Sequence, residues 1–247
     1  MSTAAVPADL LDKKEVRIQR MFGQIAPWYD FLNHLLSLNI DKLWRRWTTK
    51  LVPPTPGKPV LDLCTGTGDL AFAFDRAAGG KCDITGSDFC PEMLDLAREK
   101  GRSNGTAGRI QFVEADAQQL PFPSDHYDLV SVAFGLRNVT DTDRGLAEMV
   151  RVLAPGGRLA VLEFSRPRGR ILGGLYSWYF TKILPRIGQM LSRSKESAYQ
   201  YLPESVMKFP DGEELANKLR MHGLTDVTFT PFTFGIATLY VGTKLVA

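Results

Sequence analysis

The chain has 247 residues, 44% of them hydrophobic and 23% charged, an ordinary globular composition with apolar material for a substantial core. Its 30 Lys plus Arg against 27 Asp plus Glu leave a formal charge of +3, which excludes the strongly basic balance of a dedicated nucleic-acid binder. Three cysteines, Cys64, Cys82 and Cys90, and no signal-like apolar core near the N-terminus suit a reducing, cytoplasmic setting. No uninterrupted apolar run approaches the roughly 20 residues of a membrane span, so any membrane contact is peripheral.

Residues 1–9 carry no periodic signal and read as a frayed end. Over residues 13–50 charge and aromatics dominate, and Leu43, Trp44, Trp47 and Leu51, following Asp41, have the spacing of one apolar helical face, which predicts core packing. Pro53, Pro54, Pro56 and Pro59 then break the helix. Beyond them short apolar runs alternate with helical patterns: 59–63, 69–78, 82–86, 91–100, 110–114, 127–133, a helix carrying Leu146, Met149, Val150 and Leu153, and 158–164 behind Pro155-Gly156-Gly157. This alternation predicts an α/β fold with a mostly parallel, doubly wound sheet. Asp211 followed by Glu214 matches a capping box and predicts a helix ending near Gly223. Residues 227–234 and 236–245, joined at Gly235, predict an antiparallel hairpin that closes the sheet at seven strands.

The run Leu61-Asp62-Leu63-Cys64-Thr65-Gly66-Thr67-Gly68-Asp69-Leu70 puts glycines between a strand and a helix, and Gly66-x-Gly68-x-x-Ala71 is the dinucleotide fingerprint with Ala in third place. A glycine turn that only connects strand and helix gives the same pattern. Asp88 lies 20 residues beyond Gly68 at the end of the next strand, where a carboxylate accepts from both ribose hydroxyls. Asp116, followed by Ala117, stands after the third strand, where it can accept from an adenine amine. These positions point to an adenosine-bearing ligand, dinucleotide or adenosylmethionine. No second substrate domain is visible, and the only Tyr-x-x-x-Lys, Tyr240 to Lys244, falls in a predicted strand, which disfavours a short-chain dehydrogenase. The turn Leu153-Ala154-Pro155-Gly156-Gly157 resembles a recurring mark of class I methyltransferases, which implies S-adenosylmethionine. Asp62 and Asp69 then favour its cationic methionine end, although Asp69 equally suits a helix cap. Cys64 has no basic neighbour to lower its pKa and reads as a small packing residue.

Five stretches resemble the family of ubiquinone and menaquinone C-methyltransferases: Phe22-Gly23-Gln24-Ile25-Ala26-Pro27-Trp28-Tyr29-Asp30, the loop at 61–70, Phe134-Gly135-Leu136-Arg137-Asn138-Val139, Leu162-Glu163-Phe164-Ser165, and Tyr199-Gln200-Tyr201-Leu202-Pro203-Glu204-Ser205. The likeness runs over about residues 15–245, with departures at Cys64-Thr65 and at Tyr240, where a histidine is expected. It implies a Rossmann-like class I methyltransferase fold in one domain over 1–247: a helical lid (10–55), an S-adenosylmethionine core (56–165), a helical insertion on the acceptor side (166–209), and a closing helix and hairpin (210–247). The implied cofactor site comprises Asp62, Gly66, Thr67, Gly68, Asp88, Asp116, Ala117 and Ala133. The implied reaction is methylation of a ring carbon of a prenylated quinol, demethylmenaquinol first and the benzoquinol of ubiquinone synthesis as alternative. Arg137 would stabilise the phenolate or polarise a water acting as base, and Asn138 would orient the ring oxygen. Tyr29, Asp30, Tyr201 and Glu204 are expected in the acceptor pocket and its lid. An oxygen- or nitrogen-directed small-molecule methyltransferase and a nonenzymatic S-adenosylmethionine-binding protein are rivals that share the cofactor site and lack the acceptor motifs.

Between Glu163 and Glu196 the chain holds Arg166, Arg168, Arg170, Lys182, Arg186, Arg193 and Lys195 and no acid, interleaved with apolar residues. That stretch reads either as a peripheral contact with an anionic membrane or as a buried helix with a solvated rim. His34, His126 and His222 show no metal-ligand spacing, and no metal is expected. The sequence is compatible with a homodimer and predicts no nucleic-acid partner.

Overall fold

Seven strands form one sheet in the order β3-β2-β1-β4-β5-β7-β6 in the computed structural model, which describes residues 15–167 and 198–246. They are β1 (Val60–Leu63), β2 (Ile84–Asp88), β3 (Ile110–Glu114), β4 (Tyr127–Ala133), β5 (Leu153–Phe164), β6 (Leu224–Phe232) and β7 (Ala237–Lys244). β1 to β5 pair in parallel, and β7 runs antiparallel between β5 and β6, as the predicted hairpin requires. β1 is flanked by β2 and β4, so the chain reverses its direction of travel there and leaves a crevice at the carboxyl ends of the strands. Pro155-Gly156-Gly157 sits in a register shift of β5, between the pairs Tyr127–Leu153 and Leu129–Arg158.

Seven helices are described: α1 (Glu15–Leu36), α2 (Ile40–Leu51), α3 (Asp69–Ala77), α4 (Pro91–Ser103), α5 (Thr142–Val152), α6 (Ala198–Lys208) and α7 (Glu213–Met221). Because side chains alternate along a strand, the sheet builds two apolar layers. Leu61, Leu63, Val130 and Val132 pack with Leu146 and Met149 of α5 and Leu215 and Leu219 of α7. Val60, Ile84, Leu129 and Leu162 pack with Trp44 of α2 and Phe72 and Phe74 of α3. A third cluster joins Ile18, Met21, Ile25, Leu32 and Leu36 of α1 to Tyr201 and Val206 of α6.

Two local expectations change. On α2 only Trp44 of the predicted face is buried; Leu43, Trp47 and Leu51 are exposed, and Asp41, Thr48 and Thr49 turn inward with Trp44. The interior met by α2 is polar at one end, where Asp41 accepts from Ser37 Oγ (2.6 Å) and from Arg45 (2.5 Å) and pairs with His34 (2.8 Å). The capping box does not form: α7 follows Gly212 with no side-chain cap, and Asp211 instead accepts from the Arg166 backbone N–H (2.8 Å) and guanidinium (3.0 Å). Tyr240 Oη accepts the Gly212 N–H at 2.6 Å, so Tyr240, 1% exposed, anchors the closing helix from the core. Of the basic stretch, residues 168–197 lie outside the described part. No helix among the described residues is long and apolar enough to cross a membrane.

Candidate active site

The loop after β1 is laid across the sheet by its own polar groups. Cys64, Gly66 and Gly68 all have positive φ (50°, 56° and 85°), a conformation only glycine adopts without cost. Thr65 Oγ1 and Ser131 Oγ each donate to Asp62 at 2.7 Å, which fixes the strand end to its turn. The Gly66 N–H donates to Asp88 at 2.8 Å and the Cys90 N–H at 3.0 Å, so the carboxylate closing β2 also holds the loop. Burial pushes Asp62 and Asp88 up to about 6 against these bonds. The Cys64 thiol is raised well above its ordinary range by burial and then by the carboxylates of Asp88, Asp62 and Glu163, as suits a packing residue.

A cavity of about 730 Å³, counting its open mouth, lies at this crevice, lined by Gly66, Asp88, Asp116, Ala117, Ala133 and Asn138 among others. Two polar atoms on its wall, Ser87 Oγ and Asn138 Oδ1, are buried with no hydrogen-bond partner among the described residues. Such groups call for a polar ligand. With the buried Asp88 and the open backbone of Gly66, they fit the ribose, adenine and charged end of S-adenosylmethionine. Phe22, which opens the first of the family-like stretches, supplies an apolar wall together with Phe89 and Met93, which the sequence patterns did not single out.

A larger cavity of about 1620 Å³ adjoins the first and shares Phe22, Tyr29, Cys64, Gly66, Ala133 and Phe134 with it. Met21, Ile25 and Leu36 of α1, Trp44 of α2 and Phe164 make it apolar, while Arg137, Arg45 and Tyr201 bring polar groups to its wall. Arg137, 6% exposed, donates to Glu163 Oε1 (2.8 Å) and to the Phe134 carbonyl, and its guanidinium lies 5.3 Å from the Phe164 ring centre. Its Nε and Tyr201 Oη are buried without partners among the described residues. Burial raises the Tyr29 phenol, against the pull of Arg137 and Arg45.

The expected site residues therefore separate. Gly66, Asp88, Asp116, Ala117 and Ala133 line the smaller cavity, and Asn138, expected at the acceptor, lines it too. Asp62 and Thr67 line the larger one, with Tyr29, Arg137 and Tyr201. Gly68 packs behind the loop, where a Cβ would come within 2.9 Å of Phe72 and 3.0 Å of Phe112. Asp30 faces away from both cavities: it accepts from Thr67 Oγ1 (2.6 Å) and pairs with Lys100 (2.5 Å), tying α1 to the loop and to α4. Glu204 lines neither cavity. Asp69 is the first residue of α3, not its cap; burial opposes its charge, but Arg45 and Lys100 hold it below the usual carboxylate range. Arg45 was not foreseen. It pairs with Asp41 (2.5 Å) and Asp69 (3.6 Å) and brings a positive charge to the point where His34, Asp41 and Asp69 converge.

A sheet of this order, with a cavity at its reversal and orphaned polar groups on the wall, is that of a class I S-adenosylmethionine-dependent methyltransferase. The fold is similar to a SAM-dependent methyltransferase from Thermotoga maritima (TM-score 0.67, 19% identity, 92% of this chain and 99% of that one) and to another from Aquifex aeolicus (0.60, 18%, 81% and 89%). The chain is 46% identical over 234 residues to the ubiquinone/menaquinone biosynthesis C-methyltransferase UbiE of Geobacter sulfurreducens, covering 95% of this chain and 91% of that protein. It is 41% identical over 233 residues to its namesake in Shewanella halifaxensis, covering 94% and 92%. The profile of the ubiE/COQ5 methyltransferase family matches residues 10–244, and the chain belongs to that family. It is a C-methyltransferase whose cofactor is S-adenosylmethionine.

Proposed function

We propose that the protein methylates a ring carbon of a prenylated quinol in quinone biosynthesis, with demethylmenaquinol as the preferred acceptor and the benzoquinol precursor of ubiquinone as the alternative. The observation that carries this reading is the buried Arg137 in the wall of an apolar cavity that shares the glycine loop with the cofactor cavity. Bound there, S-adenosylmethionine supplies an electrophilic sulfonium methyl group. Loss of a phenolic proton would raise electron density at the ortho carbon that accepts the methyl; the electrons of the broken C–S bond would leave on the sulfur of S-adenosylhomocysteine, and departure of the ring carbon's own proton would restore the aromatic ring. Arg137 stabilises the phenolate, with a water as proton acceptor. Tyr201 Oη, without a partner among the described residues, is available to the ring oxygens. Asp88 holds the ribose and Asp116 the adenine. Asn138, on the cofactor side, we assign to holding the cofactor's polar end and not the ring oxygen. Met21, Ile25, Leu36 and Trp44 match the ring and the start of a prenyl tail.

Labelled S-adenosylmethionine, incubated with reduced naphthoquinol and benzoquinol precursors, is expected to mark a ring carbon of the former more strongly. Label on neither would sink the quinol reading. Arg137 needs a paired design, because removing it strands Glu163, 1% exposed, as an uncompensated buried charge at a cost of about 3–5 kcal/mol. Arg137→Ala combined with Glu163→Gln is expected to regain most of that stability while turnover stays down by a factor on the order of 100 or more. Near-normal turnover of the double variant with unchanged cofactor affinity would remove Arg137 from the chemistry.

A further inference from the structure

We propose that the outer face of α2 is a docking surface for an anionic lipid bilayer. The exposed residues of α2 are Lys42, Leu43, Arg46, Trp47, Lys50 and Leu51. Leu43, Trp47 and Leu51 recur at a spacing of four and form one stripe; Lys42, Arg46 and Lys50 recur at the same spacing and form the stripe beside it. The only acid of this helix, Asp41, is buried and paired with Arg45, so the solvent face presents apolar and cationic groups alone. A helix of this kind lies in a membrane interface, with its apolar side among acyl chains and its cations at the headgroups.

Two further observations favour a bilayer as the occupant. The cationic stripe forms one side of an open groove whose lining also includes Arg76, while the acids of that groove, Asp30 and Asp69, are already paired with Lys100 and Arg45. That is a surface complementary to anionic headgroups. The apolar side, in turn, is continuous with the mouth of the larger cavity: Leu38, 75% exposed in the turn joining α1 to α2, lines that cavity together with Ile40 at the start of α2. Docking on this face sets the cavity mouth against the bilayer, where a prenyl tail resides. Only that last step rests on the quinol reading. Leu43, Trp47 and Leu51, whose spacing predicts core packing, would face the acyl chains instead.

Co-sedimentation of the full chain with phosphatidylcholine vesicles, with and without phosphatidylglycerol, tests the surface. The protein is expected to bind the anionic vesicles, and less so at high salt. Lys42→Gln, Arg46→Gln and Lys50→Gln together are expected to lower that affinity on the order of 100-fold. Leu43→Ser with Leu51→Ser is expected to weaken it without changing its salt dependence. Both variants keep the melting temperature and cofactor affinity of the parent, because none of these side chains lies in the core or in either site cavity. Methylation of a tail-less quinol is unaffected by them, so a failed quinol assignment leaves the vesicle result readable. Anionic vesicles that fail to bind the parent, or bind the triple variant as tightly, overturn the proposal. So does a dimer of the parent that the serine variant converts to monomer, which would give the face to a second copy.

Discussion

Burial decides what Asp88 does. Its two oxygens are held by the backbone N–H groups of Gly66 and Cys90, yet desolvation still lifts it to about 6, and Asp62 likewise. Between about pH 4 and pH 6 the folded chain thus holds protons that the unfolded chain has released, so these two carboxyls make stability fall as pH rises through that window. Cofactor binding follows the opposite sign, because the ribose hydroxyls donate to the ionised form. Titration calorimetry from about pH 5 to pH 8 is expected to show S-adenosylmethionine affinity falling below about pH 6, with Asp88→Asn weaker and flatter in pH. Parent affinity constant across that range would take the ribose away from Asp88.

At the scale of elements, the site is built where two loops cross. A Cβ at Gly135, after β4, would run into Cys64 Cβ and come within 3.0 Å of its Sγ, so the volume of Cys64 in the loop after β1 is taken from Gly135. Gly135→Ala is expected to cost about 1–3 kcal/mol by overpacking. Adding Cys64→Gly at a position with φ of 50° is expected to restore most of it, read as melting temperature. No recovery in the double variant would mean that the loops are not coupled there. The strand and helix succession and the closing hairpin were legible in the sequence because each element carries its own period, whereas the order of the strands in the sheet is set by long-range pairing that no local period reports. Asp88 and Asp116 were legible as cavity residues because a strand end, once located, fixes where its next side chain points. α2 was not, because stripes at spacing four lie side by side on a helix, and periodicity alone does not say which faces the sheet. Asp30 follows Tyr29 in sequence, but neighbours on a helix diverge by about 100°, which carries Tyr29 into the cavities and Asp30 toward Lys100. Arg45 was missed because a basic residue on a charged helix reads as solvated until Asp41 and Asp69 are seen around it. Asp211 followed the capping pattern and was recruited by Arg166 across 45 positions, which no local rule reports.

Across the molecule, α1 lines both cavities while burying its apolar face away from the two layers of the sheet. Its apolar face clusters with α6, apart from the two layers that bury β1 to β7. Polar ties to the core include Gln19 to the Phe89 carbonyl at 2.7 Å and Asp30 to Thr67 and Lys100. The Asp30–Lys100 pair is about a third exposed on each side, so it contributes little by itself, and a ligand in the smaller cavity adds contacts to Phe22 and Tyr29 that the empty fold lacks. S-adenosylmethionine at about 100 times its dissociation constant is expected to stabilise the protein by about 2.7 kcal/mol. Hydrogen exchange is expected to show that the added protection falls on α1 more than on β5 and β7, whose amides are already held by the sheet ladder. Lys100→Met, which leaves Asp30 held by Thr67 alone and removes the lysine's bonds to Thr67 and Asp69, is expected to weaken cofactor binding and reduce the protection gained by α1 while leaving exchange in β5 and β7 as in the parent. Equal protection of α1 with and without cofactor would show that this helix is as firmly seated as the sheet, and the coupling between roof and ligand would then have to be abandoned.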